Sequence, residues 1–329
     1  ITSNALFLQD GTGSVSLGGD VNTATTQRYQ SGITISGNRT LTSGGNMTFD
    51  SSIVGAGNNL DINAGSAGTI SVSGQVSGVT ELEVVNSNGA TFSDNVSATT
   101  LRLTDTTDGQ TIAFNGNVTA TTLQTTAQNY NVSLVGASNT ITSDTSFVNT
   151  GATTLGDAAS DVIRFVNGLD ATSAGGVSIA GTVGTSGQAI DFANVTLAAN
   201  ATIDTTSGSG SVAITGAVSG NSGAENLTID SGTVTFQNTI DANNLTIEGS
   251  TVSLNQGADL SGTLDTTASS KLSVLGQNLE ADGGVTISGA TELGSSVVTN
   301  NSDVSITGTL TLLENTDVSI STSNGGITV

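Results

Sequence analysis

The chain has 329 residues, 27 acidic and five basic, with a net charge of −22 and no Cys, His, Pro or Trp. So acidic a chain repels nucleic-acid phosphates and anionic lipids, which argues against nucleic-acid binding. Without His or Cys, histidine-based nucleophilic triads, thiolate sites and disulfides are excluded. No apolar stretch reaches the ~18 residues that span a bilayer, so we expect no membrane insertion by this segment.

A short kernel recurs along the chain: an apolar-x-apolar strand, a small polar or glycine turn, and another apolar residue. Alternation places the apolar side chains inward and the intervening Ser or Thr outward. Gly, Asn or Asp then bends the chain. In chain order the kernels include VSLGGDV (15–21), MTFDSSI (47–53), ISVSGQV (70–76), IAFNGNV (112–118), VSIAGTV (177–183), VAITGAV (212–218), VTFQNTI (234–240), VTISGAT (285–291) and VSITGTL (304–310).

Longer copies set the period of the repeat. NVSATTL (95–101) recurs as NVTATTL (117–123) after 22 residues, and LTIDSGTVTF (227–236) recurs as LTIEGSTVSL (245–254) after 18. Such a unit repeated along a whole chain predicts an all-β parallel β-helix, or β-solenoid, of about 20 residues per coil and about 16 coils. We expect aliphatic columns inside and ladders of Asn and Thr at the bends.

Two irregular stretches interrupt the rhythm. One is the interval from residue 15 to residue 47, and the other is residues 184–211. Each is either a larger coil or a coil whose kernel is not recognisable. Because no linker of biased composition appears, the sequence predicts one continuous domain over residues 1–329, which we expect to be a segment of a longer repeat array.

The enzymatic alternative is a polysaccharide-cleaving β-helix. Such a site needs clustered carboxylates or a poised basic residue. Here the carboxylates lie mostly singly, in predicted turns, and the cations lie far apart, so we assign no catalytic residue and expect no enzyme. The carboxylates considered are Asp61, Asp94, Asp157, Asp204, Asp241 and Asp265; the cations are Arg28, Arg39, Arg102, Arg164 and Lys271.

The nearest candidate for a calcium site is the segment TDTTDGQ (104–110). It places Asp105 and Asp108 before Gly109. An ordinary Asp-Gly turn is the preferred explanation of the segment, and no tandem calcium repeat or EF-hand loop is present. We therefore assign no metal-binding or cofactor-binding residue and expect at most loosely bound calcium.

Thr-x-Thr pairs suggest a second alternative, an ice-binding face. They do not recur at one constant offset, and threonine is a common outward residue of strands. The strand explanation is therefore preferred. The pairs are Thr40/Thr42, Thr119/Thr121, Thr140/Thr142, Thr233/Thr235 and Thr309/Thr311.

Ten asparagines have Ser or Thr two places on, the acceptor pattern for N-glycosylation. Chance alone predicts about as many in a chain so rich in Asn, Ser and Thr, so the pattern indicates nothing about glycans. The ten are Asn38, Asn46, Asn95, Asn117, Asn131, Asn194, Asn200, Asn226, Asn244 and Asn300.

Kernels such as GSVAITGAV (210–218) and GTVTFQNTI (232–240), in a chain without Cys, resemble the β-strand repeats of filamentous-haemagglutinin-like and autotransporter-passenger proteins of bacterial surfaces. The resemblance implies a right-handed parallel β-solenoid that is exported and displayed as an adhesin, filament or surface layer. The export route is left open.

Two functions follow as hypotheses. The first is a non-enzymatic extracellular rod, part of a surface filament, sheath or adhesive stalk. We expect it to associate with further copies of itself, head-to-tail through open coil ends or laterally. The second is an adhesin whose side face binds surface glycans or a partner cell. Both place the protein outside the cell or at its surface.

Overall fold

The structure is a computed structural model that describes residues 1–5, 7–11, 13–206, 209–266, 271–314 and 317–329. It is an all-β solenoid of about 15 turns, with parallel strands stacked about 20 residues apart. No helix occurs in this described part. The predicted fold class is confirmed, and right-handed winding stays a prediction. The turns number slightly fewer than predicted because several coils are longer than 20 residues: paired residues are 22 apart at Ser97 and Thr119 and 26 apart at Asp204 and Asp230, although only 18 apart at Thr228 and Thr246.

The chain comprises two compact units. Unit 1 contains Ile1–Gly156 and Ser173–Gly175, and unit 2 contains Asp157–Thr172 and Gly176–Val329. One continuous domain over residues 1–329 stays a prediction, and each unit is described by itself below.

Unit 1 has three strand positions per coil. Where the three positions are separate strands, each strand pairs with the third strand along: β4 pairs with β1 and β7, and β5 with β2 and β8. Long strands such as β9 and β11 pass from the third position of one coil to the first of the next. The strands are β1 Thr2–Ser3, β2 Phe7–Gln9, β3 Val15–Leu17, β4 Val21–Thr23, β5 Gln27–Tyr29, β6 Ile33–Ile35, β7 Arg39–Ser43, β8 Met47–Phe49, β9 Ile53–Asn63, β10 Ile70–Val72, β11 Val76–Asn86, β12 Ala90–Phe92, β13 Val96–Leu103, β14 Thr111–Phe114, β15 Val118–Thr125, β16 Asn131–Leu134, β17 Ser138–Ile141, β18 Thr145–Ser146 and β19 Thr153–Leu155.

Unit 2 follows the same scheme: β32 pairs with β29 and β35, and β33 with β30 and β36. Its strands are β20 Val162–Phe165, β21 Leu169–Ala171, β22 Val177–Gly184, β23 Ile190–Phe192, β24 Val195–Asp204, β25 Ser211–Ile214, β26 Val218–Gly220, β27 Leu227–Phe236, β28 Ile240–Ala242, β29 Leu245–Leu254, β30 Ala258–Leu260, β31 Thr263–Thr266, β32 Lys271–Val274, β33 Leu279–Ala281, β34 Gly284–Ser288, β35 Ala290–Leu293, β36 Val297–Thr299, β37 Val304–Thr307, β38 Leu310–Leu312, β39 Ile320–Thr322 and β40 Ile327–Thr328.

Columns of like side chains fill the interior, as the alternation predicts. In unit 1, Phe92 and Phe114 pair in register and stack with ring centroids 4.8 Å apart, and Leu134 follows on the next coil. In unit 2, Leu227 lies over Leu245 and Ile229 over Ile247. All are fully buried, so each coil completes the apolar surface of its neighbours.

The interval from residue 15 to residue 47 contains a complete coil that the kernel pattern does not reveal. Its middle strand β5 carries Gln27 at an inward position, where an apolar residue is expected. Gln27 is buried; its amide donates to the carbonyls of Val21 and Thr42 and accepts a hydrogen bond from the Tyr29 hydroxyl. A satisfied polar side chain thus replaces the apolar one.

The stretch 184–211 is a second coil of ordinary kind. Strands β23 and β24 lie within it, joined by the short turn of Ala193 and Asn194, and they pair with the neighbouring coils. Residues 207–208 of this stretch lie outside the described residues. Of the two alternatives left by the sequence, the unrecognised kernel is therefore right in both stretches.

Asparagine side chains link successive coils at the corners, which confirms the predicted ladders for Asn. The backbone N–H of Asn117 donates to Oδ1 of Asn95 at 2.9 Å, and Oδ1 of Asn117 in turn accepts from the N–H of Ser138 at 2.9 Å. Corner backbone groups have no strand partner of their own, so these side chains supply the missing acceptors.

Removing one such acceptor should destabilise unit 1. We expect Asn117→Ala to lower the free energy of unfolding by about 1 kcal/mol, because the N–H of Ser138 loses its partner. Urea denaturation measures this. Asn115→Ala is the matched control: the Asn115 side chain is exposed and makes no hydrogen bond within the described residues, so a change below about 0.5 kcal/mol is expected. Equal losses of unfolding free energy in Asn117→Ala and Asn115→Ala would contradict a stabilising role for the asparagine ladder.

Candidate functional site

Three carboxylates cluster on the outer surface of unit 1, on strands β9 and β11. Their placement follows from alternation: Leu60 and Leu82 point inward, so Asp61, Glu81 and Glu83 point outward. Asp61 and Glu83 are paired in register, and one oxygen from each of the three side chains lies within 4.8 Å of the others. Among the described residues, no other group of three or more acidic residues meets this geometry.

The three carboxylates of the cluster repel one another, and a hydroxyl and a guanidinium nearby partly offset this repulsion. Burial raises the pKa of Asp61, and the carboxylates of Glu83 and Asp20 raise it further. The hydroxyl of Thr40, which donates to Asp61 at 3.1 Å, and the guanidinium of Arg102 lower it. Like charges held close favour protonation or a cation nearby.

Carboxylate oxygens are the ligands that hard divalent cations such as Ca²⁺ prefer, and Asp61, Glu81 and Glu83 are the residues that could hold one. Sequence reasoning considered Asp61 alone and missed both glutamates. The signal was available, because Glu83 follows Asp61 by 22 residues, the same offset as the NVSATTL copies. Loosely bound calcium stays a prediction.

The six carboxylates considered from the sequence, Asp61 included, do not lie mostly in turns, so that expectation was wrong. The reason is that a solenoid strand also presents outward positions to water, where a carboxylate can stay solvated. Asp94 and Asp157 lie in bends, whereas four others lie in strands: Asp61 in β9, Asp204 in β24, Asp241 in β28 and Asp265 in β31.

Stacking brings several of these carboxylates into register in unit 2. Asp230 lies over Asp204 and under Glu248. Asp259 likewise lies between Asp241 and Glu280. Like charges directly opposite each other on neighbouring strands are destabilising, so these ladders reduce the stability of unit 2.

A further in-register pair, Asp170 and Asp191, allows that cost to be measured. Burial raises the pKa of Asp191, and the Asp170 carboxylate raises it further. The folded protein therefore keeps the Asp191 proton to a higher pH than the unfolded chain does. Stability is gained as the pH falls through the folded-state pKa towards the lower pKa of the unfolded chain, and it is lost as the pH rises through the folded-state pKa.

We expect Asp191→Asn to raise the free energy of unfolding by about 0.2–1 kcal/mol near neutral pH, because it removes one of two opposed negative charges. In acid below about pH 3 the gain should vanish, since the Asp191 carboxyl, whose pKa is raised, is then uncharged in the unmodified protein as well. Urea denaturation at the two pH values measures this. Asp144→Asn, an exposed residue between β17 and β18, removes one charge elsewhere and controls for net charge. An equal gain from Asp144→Asn would contradict the pair effect.

The five cations do not assemble into a site. Arg28 pairs with Asp50 and Lys271 with Glu292, each at 2.8 Å. Arg39 donates to the backbone carbonyls of Leu17, Ser36 and Asn38. Arg164 donates to the Ser186 hydroxyl, and Arg102 lies in register with Glu83.

The structure places TDTTDGQ in a turn. Gly109 has a φ of 76°, and the N–H of Gln110 donates to the carbonyl of Thr107 at 2.8 Å, as in an Asp-Gly turn. The hydroxyl of Thr106 accepts from the Ser87 hydroxyl on the preceding coil. These contacts account for the segment without a cation.

Glu225, whose carboxylate holds a loop by accepting hydrogen bonds, was not identified from the sequence. It is buried in the loop after β26. The hydroxyl and N–H of Ser222 and the N–H of Ala224 donate to it, and these hydrogen bonds lower the pKa of Glu225 to about 2. Its charge therefore holds the loop and is not free for chemistry.

The glycosylation pattern has a structural origin. Asn95 is a corner acceptor, Val96 points inward and Ser97 points outward, so the corner and alternation generate Asn-x-Ser/Thr on their own. Of the ten asparagines, Asn300 is the exception in the described residues. The other nine accept from a backbone N–H of the next coil: Asn38, Asn46, Asn95, Asn117, Asn131, Asn194, Asn200, Asn226 and Asn244.

Comparisons of the chain with protein-family models, with curated proteins and with solved structures found no match. Within the described ranges, no helix has the length and apolar character needed to cross a membrane.

Proposed function

We propose that the chain is a non-enzymatic extracellular structural protein, a β-solenoid segment of a surface filament, sheath or adhesive stalk. The class resembled is that of the filamentous-haemagglutinin-like and autotransporter-passenger proteins. Both the structural role and the extracellular location are proposed.

The observation that carries this proposal is the coil-to-coil pairing that recurs among the described residues of each unit. In unit 1, for example, β10 pairs with β8 on one side and with β12 on the other, in register throughout. Each coil is stabilised by its neighbours and needs no separate core, so such a fold grows by adding coils. The net charge of −22 supports solubility in a long assembly.

Self-association is part of the proposal. A coil presents one row of backbone donors and acceptors to any coil in register with it, whether of the same chain or of another copy. We expect the purified protein to form fibres without any partner. Sedimentation velocity across a concentration series and electron microscopy measure this, and a protein that stays monomeric at every concentration would contradict it.

A second candidate is a binding module that recognises surface glycans or a partner cell through its side face. A groove of about 460 Å³ on the side of unit 1, lined by uncharged residues that include Thr99, Thr119 and Thr121, favours it. Fibres formed without a partner support the first candidate, whereas monomers that bind glycans support the second.

A further inference from the structure

Asparagine directly followed by glycine occurs four times in the chain, at Asn88, Asn115, Asn167 and Asn324. In this dipeptide the glycine nitrogen can attack Cγ of the asparagine side chain: a C–N bond forms, the side-chain nitrogen leaves as ammonia, and a cyclic succinimide results. Water then opens the ring at either carbonyl and leaves aspartate or isoaspartate. Glycine favours the attack because it has no side chain to hinder the approach.

Two structural conditions decide which of these asparagines reacts in the folded protein. The asparagine side chain must be free to turn back towards the main chain, so it must be exposed and without a hydrogen bond that fixes it. The glycine nitrogen must lose its proton to attack, and a hydrogen bond that its N–H donates opposes this loss.

Asn115 meets both conditions. It follows β14 at a corner, its side chain is exposed, and that side chain makes no hydrogen bond within the described residues. The N–H of Gly116 likewise donates to no acceptor in the described part of the chain. The corner explains this, because the N–H of Asn115 still donates to the carbonyl of Phe92, whereas the next N–H with a partner is that of Asn117, which donates to Oδ1 of Asn95.

At Asn88 the following glycine nitrogen is held by a hydrogen bond. The N–H of Gly89 donates to Oγ1 of Thr106 at 2.7 Å. Thr106 is buried, and its own hydroxyl donates to the carbonyl of Ser87 at 2.7 Å, so the acceptor is fixed in position. The nitrogen of Gly89 is therefore protected from loss of its proton.

Asn167 and Asn324 are restrained in other ways. The N–H of Gly168 donates to the carbonyl of Phe165 at 3.4 Å, in the turn between β20 and β21. The side-chain amide of Asn324 donates to Oδ1 of Asn301 at 2.6 Å, which restrains that side chain. Each position thus lacks one of the two conditions.

We propose that Asn115 is a modification site, at which the folded protein deamidates spontaneously to aspartate and isoaspartate. Water is the reactant taken up and ammonia is the product released, so the reaction needs no cofactor or oxidant. The inference is independent of the proposed extracellular role and of assembly between copies.

Isoaspartate at this position should loosen the corner. When water opens the ring at the main-chain carbonyl, the chain continues through the former side chain, so the main chain gains one carbon before Gly116. The corner has no room for it, since a Cβ on Gly116 would already lie 2.3 Å from the carbonyl carbon of Asp94 and 2.6 Å from the N of Asn95. The neighbouring coils must then move apart, and unit 1 should lose stability as the protein ages.

Peptide mapping by mass spectrometry, after incubation of the whole chain at mildly alkaline pH, tests the proposal. Cleavage after Lys and Arg places the four asparagines in separate peptides, so one sample gives all four rates. Asn115 should deamidate at least about fivefold faster than Asn88, the factor expected for one hydrogen bond. In denaturing urea the four rates should converge, because the structural protection is lost. Equal rates in the folded protein, or the same ranking in urea, would overturn the proposal.

Thr106→Val tests the protection at Asn88. It removes the acceptor of the Gly89 N–H at nearly constant shape, so Asn88 should deamidate about fivefold faster while Asn115 keeps its rate in the same sample. Circular dichroism checks that the variant folds. An unchanged rate at Asn88 in the folded variant would show that this hydrogen bond does not set the reactivity. If the variant fails to fold, the comparison of folded and urea-denatured protein decides the matter.

Asn115→Gln is the matched control for the loosened corner. Glutamine keeps an exposed amide at this position, but its longer side chain would have to close a larger ring, so it should not react on the same timescale. After equal incubation, the free energy of unfolding should fall in the unmodified protein and stay constant in Asn115→Gln. An equal fall in both proteins, or none in a deamidated sample, would overturn the effect on the corner.

Discussion

Phe114→Ala should lower the free energy of unfolding by about 3–5 kcal/mol, the largest effect we expect from a single side chain. The Phe114 ring is fully buried, pairs in register with Phe92 and Leu134, and stacks on Phe92 at a ring distance of 4.8 Å with planes 8° apart. Truncation removes this burial and leaves a cavity between two coils, and it also loses the ring contact.

Urea denaturation and amide hydrogen exchange measure the effect. Because each coil depends on its neighbours, exchange should accelerate first in β12, β14 and β16. Thr91→Ala is the control: Thr91 is an outward residue of the adjacent strand, so its loss should change stability by less than about 0.5 kcal/mol. A loss below about 1 kcal/mol for Phe114→Ala would show that this column is not a packed core.

The position of Phe114 was predictable from the sequence, because period-two alternation alone places it inward. The same rule failed at Gln27. There, an inward side chain is polar, and its burial depends on three hydrogen bonds, with Tyr29 on the same strand and with the carbonyls of Val21 and Thr42. Period-two alternation describes one strand alone, whereas these two carbonyls belong to strands β4 and β7. The fold was therefore predictable and this coil was not.

The candidate cation cluster likewise depends on pairing between coils, which alternation within one strand does not predict. Asp61 stands 20 residues before Glu81, and only the register of β9 with β11 brings the two together. A sequence search for local acidic motifs finds TDTTDGQ, which is a turn. Register was predictable where long copies fix the offset, as with NVSATTL, but not where coil length varies from 18 to 26 residues.

The reason why glycine occurs at some corners of the coils differs from the reason that the sequence suggests. From the sequence, glycine at a bend is expected to supply a positive φ. Positive φ does occur at Gly109, but Gly116 and Gly136 are not among the glycines with positive φ. At these two corners the requirement is close approach of the backbones: a Cβ on Gly116 would lie 2.3 Å from the carbonyl carbon of Asp94.

Gly136→Ala should therefore destabilise unit 1 by about 1–3 kcal/mol, the second largest effect we expect. A Cβ on Gly136 would lie 2.3 Å from the carbonyl oxygen of Gly116 and 2.7 Å from the N of Asn117. These are backbone atoms, so the corner can relieve the clash only by spreading the two coils. Spreading would also stretch the hydrogen bond from the N–H of Ser138 to Oδ1 of Asn117.

The free energy of unfolding, measured in urea, is again the readout. Gly18→Ala is the matched control, because a Cβ on Gly18 would meet nothing within 4 Å and its backbone has no positive φ. We expect that variant to match or slightly exceed the unmodified protein, since alanine restricts the unfolded chain more than glycine does. If Gly136→Ala behaved like Gly18→Ala, the close stacking of corners would be wrong. Neighbouring coils would then be held by their strands alone.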